Sequence, residues 1–199
     1  MENKIKILFL LSNPKDTQPL RLDQEMRQVN EFIQHGDARE SFQLIHHLAV
    51  RPADLQRVLL THQPHIIHFC GHGTSGEIVL EDDYGRSKPV SAAALKALFR
   101  LLKDNIQIVI LNAAYSKQQA KAINESIDYT IGMKKAISDR FGITFISTFY
   151  QGIAFHRSVT EAFELAKNAL AIEGIAGANN TPELFVREGV DPSLPFVPR

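Results

Sequence analysis

The sequence predicts a three-layer α/β/α sandwich around a mostly parallel sheet of about six strands. Two observations carry this. The runs IKILFLLS (5–12), HIIHFC (65–70) and QIVILN (107–112) are almost continuously apolar, as strands covered on both faces are, and each gives way to small or polar residues. Helix-length segments separate the runs, and crossovers of that length join parallel neighbours. A chain of 199 residues suits one domain and should bury roughly 70% of its unfolded surface. All of 1–199 is therefore read as a single domain, with a proline-rich irregular tail from about 190.

The elements follow in order. After the first strand (5–12) a loop carries Pro14 and Pro19, and Asp23 is the expected N-cap of a helix over about 24–35, where Met26, Val29, Phe32 and Ile33 keep helical spacing. SFQLIHHLAV (41–50) reads as the second strand, and 51–62 as a helix with Pro52 in its first turn. HIIHFC is the third strand. EIVLEDDYGRSKPV (77–90) alternates around Asp-Asp-Tyr-Gly, a hairpin signal, so Asp82 and Asp83 are turn residues. Ser91 caps AAALKALFRLL, and QIVILNAA (107–114) is the fourth strand. A helix from about 117 to 125 precedes DYTIGM (128–133), the fifth strand. Helices follow at about 138–153 and 158–172, the second opened by Ser158 and Glu161 as a capping box. ELFVREG (183–189) is a short edge strand.

Composition removes several functions. Lys+Arg and Asp+Glu number 22 each, so the formal charge is zero, which argues against a nucleic-acid groove. No apolar run approaches the about 18 residues that a membrane span needs. The N-terminal apolar stretch is followed by Asn13, Pro14, Lys15 and Asp16 in place of a small-residue cleavage site, so it is read as a strand and not as a signal peptide. A single cysteine, Cys70, excludes an internal disulfide and fits a reducing cytoplasm.

Three motifs invite stronger readings. GHGTSG (71–76) matches G-x-G-x-x-G, but EIVLEDDYGR follows where the dinucleotide fingerprint requires a helix. His65 and His68 point to opposite faces of a strand, so His65, His68 and His72 do not converge on a metal, and no second cysteine or H-E-x-x-H helix completes a site. No metal or cofactor is expected, and His46, His47 and His65 are read as hydrogen-bonded structural histidines. Cys70 is read as a small buried hydrophobe, and Ser116 as the cap of the helix starting at Lys117. His72 stands apart because glycines flank it and let backbone approach a ligand.

The carboxyl edge of a parallel sheet is where chemistry sits, and it holds His72 at one strand end and Ala114 at the next. The combination HFCGHG, EIVLEDDYGRSKPVS, QIVILNAAYSKQQAKAI and IDYTIGMKKAISD resembles the CHAT branch of the caspase-like (clan CD) cysteine peptidases. Members occur in bacterial multidomain proteins of defence and conflict systems, and the resemblance runs over nearly the whole chain.

It implies a caspase-like sandwich and a cysteine endopeptidase with a peptide or protein substrate and a sensor or regulatory partner; composition adds a cytoplasmic setting and no nucleic-acid or membrane partner. It also implies His72 as the catalytic histidine, the Gly73 N–H as an oxyanion donor, and residue 114 as the nucleophile. The family has Cys there and this chain has Ala114, so the chain as given should be inactive. The otherwise intact motif favours an engineered inactivation, and the alternative is a natural pseudoprotease that binds a peptide or protein. Asp139, in AISDRF, is the candidate floor of a P1 pocket for a basic residue, against a plain role as a helix N-terminal acid.

Overall fold

The computed structural model describes residues 4–177 and 180–198. Strands and helices alternate as β1 (Ile5–Leu11), α1 (Leu22–Gln34), β2 (Phe42–His47), α2 (Pro52–His62), β3 (Ile66–Cys70), β4 (Gly73–Thr74), β5 (Glu77–Glu81), β6 (Ser87–Ser91), α3 (Ala92–Leu101), β7 (Ile108–Asn112), α4 (Lys117–Asn124), β8 (Tyr129–Met133), α5 (Asp139–Ala154), α6 (Val159–Ile172) and β9 (Pro182–Val186). The main sheet has six strands in the order β2-β1-β3-β7-β8-β9, all parallel except β9 at the edge. The expected α/β/α sandwich with a mostly parallel sheet is the observed fold.

Side-chain alternation along the central strands divides the core into two. Ile7, Phe9, Leu11, Ile66, Cys70, Ile108 and Ile110 face α1, α5 and α6. Leu8, Leu10, Ile67, Phe69, Val109 and Leu111 face α2, α3 and α4. Strands apolar on both sides need helices on both sides, and each crossover supplies one. The hairpin expected after β3 is present as β5 and β6, joined by β4 into a small antiparallel sheet. Asp82 makes its turn by accepting from the N–H groups of Tyr84 (2.8 Å) and Arg86 (2.9 Å).

Some local expectations are corrected. Helix α1 starts at Leu22 with Arg21 at the N-cap, so Asp23 lies in its first turn and caps nothing. The second strand is shorter than 41–50, because Ala49 takes a left-handed φ of 51° that ends the ladder. Ser116 stands at the N-cap of α4 without capping it; its buried hydroxyl donates to Leu111 O (2.8 Å) and accepts from Met133 N–H (3.0 Å), tying β7 to β8. The caps at Ser91 and Ser158 are as expected, the latter with Glu161, and Ser138 caps α5. The described residues of the tail, 190–198, hold no helix, yet Val197 is buried and its carbonyl lies 2.9 Å from His156 Nδ1.

Candidate functional site

The two central strands β3 and β7 lie side by side in register, Cys70 opposite Asn112. Their carboxyl ends therefore deliver His72 and Ala114 to one place, and both line a cleft with Glu25, Asn112, Ser138 and Asp139. Beyond β7, Tyr115 adopts a left-handed φ of 55°, a conformation costly for a non-glycine residue and frequent where a chain turns sharply at a site. Gly73 packs directly on the Ala114 carbonyl, and a Cβ there would also meet the Ala113 Cβ at 3.2 Å, so only glycine fits.

His72 is held in one tautomer. Its Nε2 lies 2.8 Å from the carbonyl oxygen of Gln18, and since a carbonyl only accepts, Nε2 carries the proton. Nδ1 is then the basic nitrogen. The loop presenting Gln18 is braced by Asn13, whose side chain accepts from Leu20 N–H (3.1 Å) and donates to Leu20 O (3.3 Å). Backbone donors stand nearby. Val79 N–H donates to His72 O, so the next pair, Gly73 with Ile78, is a non-hydrogen-bonded pair and the Gly73 N–H points away from β5.

The floor of the cleft is a buried polar cluster. Glu25 Oε1 accepts from Asn112 Nδ2 (2.8 Å) and from the Cys70 thiol (3.0 Å), and lies 3.0 Å from His68 Nε2. Burial pushes the Glu25 carboxyl up, but the hydrogen bonds and charge of His68, Cys70 and Asn112 outweigh it and hold the group below its usual value. Burial first, and then the charge and hydrogen bond of Glu25, push the Cys70 thiol well up. Glu25, His68 and Cys70 offer ligand atoms within 4.8 Å of one another, the only such buried trio among the described residues, and could take a soft divalent ion; a hydrogen bond joins Cys70 to Glu25, whereas neither ring nitrogen of His68 has a well-formed hydrogen bond among the described residues.

Several sequence readings change here. Cys70 is buried as expected, but it is a hydrogen-bond donor and not a mere hydrophobe. Of the histidines read as structural, His65 Nδ1 accepts from Lys6 N–H (3.0 Å) and His47 lies 3.5 Å from Asp54, whereas His46 is exposed, packed on Phe9 with no hydrogen bond among the described residues. Gly76 leads into β5, so GHGTSG lacks the helix a dinucleotide needs. Ser116 is tied up between β7 and β8, and Asp139 opens α5 at the cleft's edge with no hydrogen bond or ion pair among the described residues. Glu25 was missed, although Glu25, Val29 and Ile33 share the buried stripe of α1.

This architecture is that of the caspase-like proteins. The Drosophila initiator caspase Dronc superposes with a TM-score of 0.60 at 11% identity over 94% of this chain and 80% of its own. The Arg specific cysteine proteinase gingipain R gives 0.63 at 10% identity, covering 96% of this chain and 46% of that one, and caspase-1 from Spodoptera frugiperda gives 0.60 at 8%, covering 93% and 86%. The CHAT domain family matches residues 4–174, and the chain belongs to that family. A "Probable protease" of Gillisia limnaea is 26% identical over 147 residues, which is 72% of this chain and 26% of that protein, so the chain spans about a quarter of its relative's length.

Proposed function

We propose that this chain is a caspase-like cysteine endopeptidase domain whose nucleophile position holds Ala114, and that it is inactive as given. The observation that carries this reading is His72, held by Gln18 in the tautomer that leaves Nδ1 basic, beside the same cleft as Ala114. With Cys at position 114 the thiolate attacks a peptide carbonyl, and His72 protonates the leaving amine. The oxyanion is held by the N–H groups of Gly73 and residue 114. Asp139 faces a basic P1 side chain; a carboxylate that lines the cleft and has no hydrogen bond or ion pair among the described residues supports this. Neither Cys70, a buried donor with a raised pKa, nor Ser116 substitutes for the missing thiolate.

A peptide or protein is the substrate, in keeping with the "Probable protease" relative. That relative's greater length supports sensor or regulatory parts beyond this domain, and family membership supports an effector role in a bacterial defence or signalling system. The unpaired Cys70 supports a cytoplasmic setting and the zero net charge supports the absence of a nucleic-acid partner; no helix of the described residues is long and apolar enough to cross a membrane. Ala114 itself favours a second reading, a pseudoprotease that binds a peptide or protein without cutting it.

The deciding experiment is Ala114→Cys assayed on peptides carrying Arg or Lys at P1. Cleavage that appears with this substitution and disappears again on adding His72→Ala supports the peptidase. Binding of the same peptides with no cleavage by either protein favours the pseudoprotease.

A further inference from the structure

We propose that Glu25, His68 and Cys70 form a zinc site beneath the cleft, where one Zn2+ fastens helix α1 to the central strand β3. The ligands follow from strand alternation. His68 and Cys70 are two residues apart on β3, so both side chains leave the same face of the sheet. That face is the one α1 covers, and Glu25 reaches it from the buried stripe of the helix.

All three are buried, His68 and Cys70 at 0% exposure and Glu25 at 6%. Their ligand atoms lie within 4.8 Å of one another, with Glu25 Oε1 3.0 Å from both Cys70 Sγ and His68 Nε2. Zinc bonds of about 2.3 Å to sulfur and about 2.0–2.2 Å to nitrogen and oxygen set tetrahedral ligands about 3.4–3.6 Å apart. The two close contacts therefore need to open by roughly half an ångström, within the reach of small side-chain rotations.

His68 is the residue that points to an ion. Neither of its ring nitrogens has a well-formed hydrogen bond among the described residues, although the side chain is fully buried. Leaving a buried imidazole in that condition is costly, and coordination through Nε2 satisfies that nitrogen. The ring is packed against Phe9 (centroids 4.8 Å apart) and Tyr150 (5.7 Å), which hold it in place as a ligand.

Charge and donor type select the ion. A carboxylate and a thiolate carry two negative charges, which one Zn2+ cancels where uncompensated charge is expensive. Mixed sulfur, nitrogen and oxygen ligands suit zinc, whereas magnesium and calcium take oxygen. On binding, the Cys70 S–H bond breaks, the S–Zn bond forms and the proton leaves to solvent, so affinity rises with pH. A protonated His68 paired with Glu25 is the competing arrangement, and falling pH favours it. Glu25 and Asn112 line the cleft, which gives the ion an entry path and gives water access to the fourth coordination position. Helix α1 follows directly on the loop that presents Gln18 to His72, so an ion on Glu25 steadies that loop as well.

Cobalt(II) is the probe, because Cys70 is the only cysteine and a thiolate-to-cobalt charge-transfer band has no other source in this chain. The chain as given is titrated with Co2+ both when folded and during refolding from urea, so that a buried site is reached either way. One equivalent should produce the near-ultraviolet charge-transfer band and the intense visible bands of tetrahedral cobalt, and one equivalent of Zn2+ should abolish both. Cobalt held by histidines elsewhere on the chain gives no such charge-transfer band. Cys70→Ser should lose it, and His68→Gln and Glu25→Gln should each weaken cobalt binding at least about 10-fold. No charge-transfer band in the parent under either protocol overturns the site. Unchanged affinity in both His68→Gln and Glu25→Gln makes Cys70 a lone ligand and also overturns it. If these variants fail to fold, X-ray absorption at the zinc edge of the loaded parent decides: one sulfur beside nitrogen and oxygen neighbours is expected, and a shell without sulfur overturns the proposal.

Discussion

The Nε2 atom of His72 stands 2.8 Å from the carbonyl oxygen of Gln18, and this one bond links the loop after β1 to the end of β3. It orients the ring as a carboxylate does in other nucleophile–histidine pairs, without adding charge. In the Ala114→Cys background, His72→Ala should therefore lower kcat/KM by about 10³-fold or more. The peptide cleavage rate against pH is the check. The parent should show a pH-dependent limb that the double variant lacks, and a retained limb would assign the base elsewhere.

The loop carrying Gln18 cannot be probed at its carbonyl by a side-chain change, but its brace can. Asn13→Ala removes both bonds to Leu20. If those bonds hold the carbonyl in place, the active variant should lose about 10-fold in kcat with a smaller change in KM, because misplacement affects the reacting group more than ground-state binding. Equal loss in both parameters would mean that the loop shapes the substrate cleft instead.

Asp139 separates a specificity role from a helix-end role. It has no side-chain partner among the described residues, and Ser138 already caps α5 by accepting from Phe141 N–H at 3.2 Å. Asp139→Asn should then cost no more than about 0.3–1 kcal/mol of stability, the worth of an acid at a helix N-terminus. In the Ala114→Cys background it should reduce kcat/KM for a basic P1 substrate by about 1.5–3 kcal/mol. A large fall in melting temperature with unaltered preference would make it a structural residue.

The sheet was legible because a parallel strand covered on both faces leaves an unbroken apolar signature, and β1, β3 and β7 carry it. The neighbouring ends at His72 and Ala114 followed from that adjacency. What the sequence hid was side-chain partnership across the fold. Ser116 looks like a cap from its neighbours, but Leu111 and Met133 claim its hydroxyl. Cys70 looks like a hydrophobe until Glu25 arrives from a helix 45 residues away. Glu25 itself left one readable sign, an acid in register with Val29 and Ile33, which an account of α1 by its apolar residues alone passes over.

Ser116→Ala tests that partnership directly. The hydroxyl is fully buried and serves both as donor to Leu111 and acceptor for Met133. Its loss leaves a buried N–H and a buried carbonyl without that partner, which should cost about 1–3 kcal/mol in urea unfolding. A change within about 0.5 kcal/mol, the range of ordinary surface substitutions, would show that the two backbone groups find other partners.

The last prediction concerns acid stability at Asp54, which does not line the cleft. Its carboxylate accepts from Arg51 Nε (3.1 Å), Arg57 Nη2 (2.7 Å) and the Arg51 backbone N–H (3.2 Å), with His47 Nε2 at 3.5 Å. The Arg51 hydrogen bond is the main cause that holds the carboxyl well below the usual range; burial opposes it, and Arg57, the Arg51 backbone and His47 reinforce it. A group whose folded pKa is depressed contributes stability above its unfolded value, about 3.9 for Asp, and that contribution is lost as pH falls toward the folded value. Asp54→Asn should therefore be less stable than the parent by about 1–3 kcal/mol at neutral pH. The gap should begin to close below about pH 5 and shrink steadily as the parent's own carboxylate is protonated. Urea unfolding of both proteins between neutral pH and the lowest pH at which the parent stays folded measures it. A gap that stays constant over that range would assign the loss to altered packing at the start of α2 and not to charge.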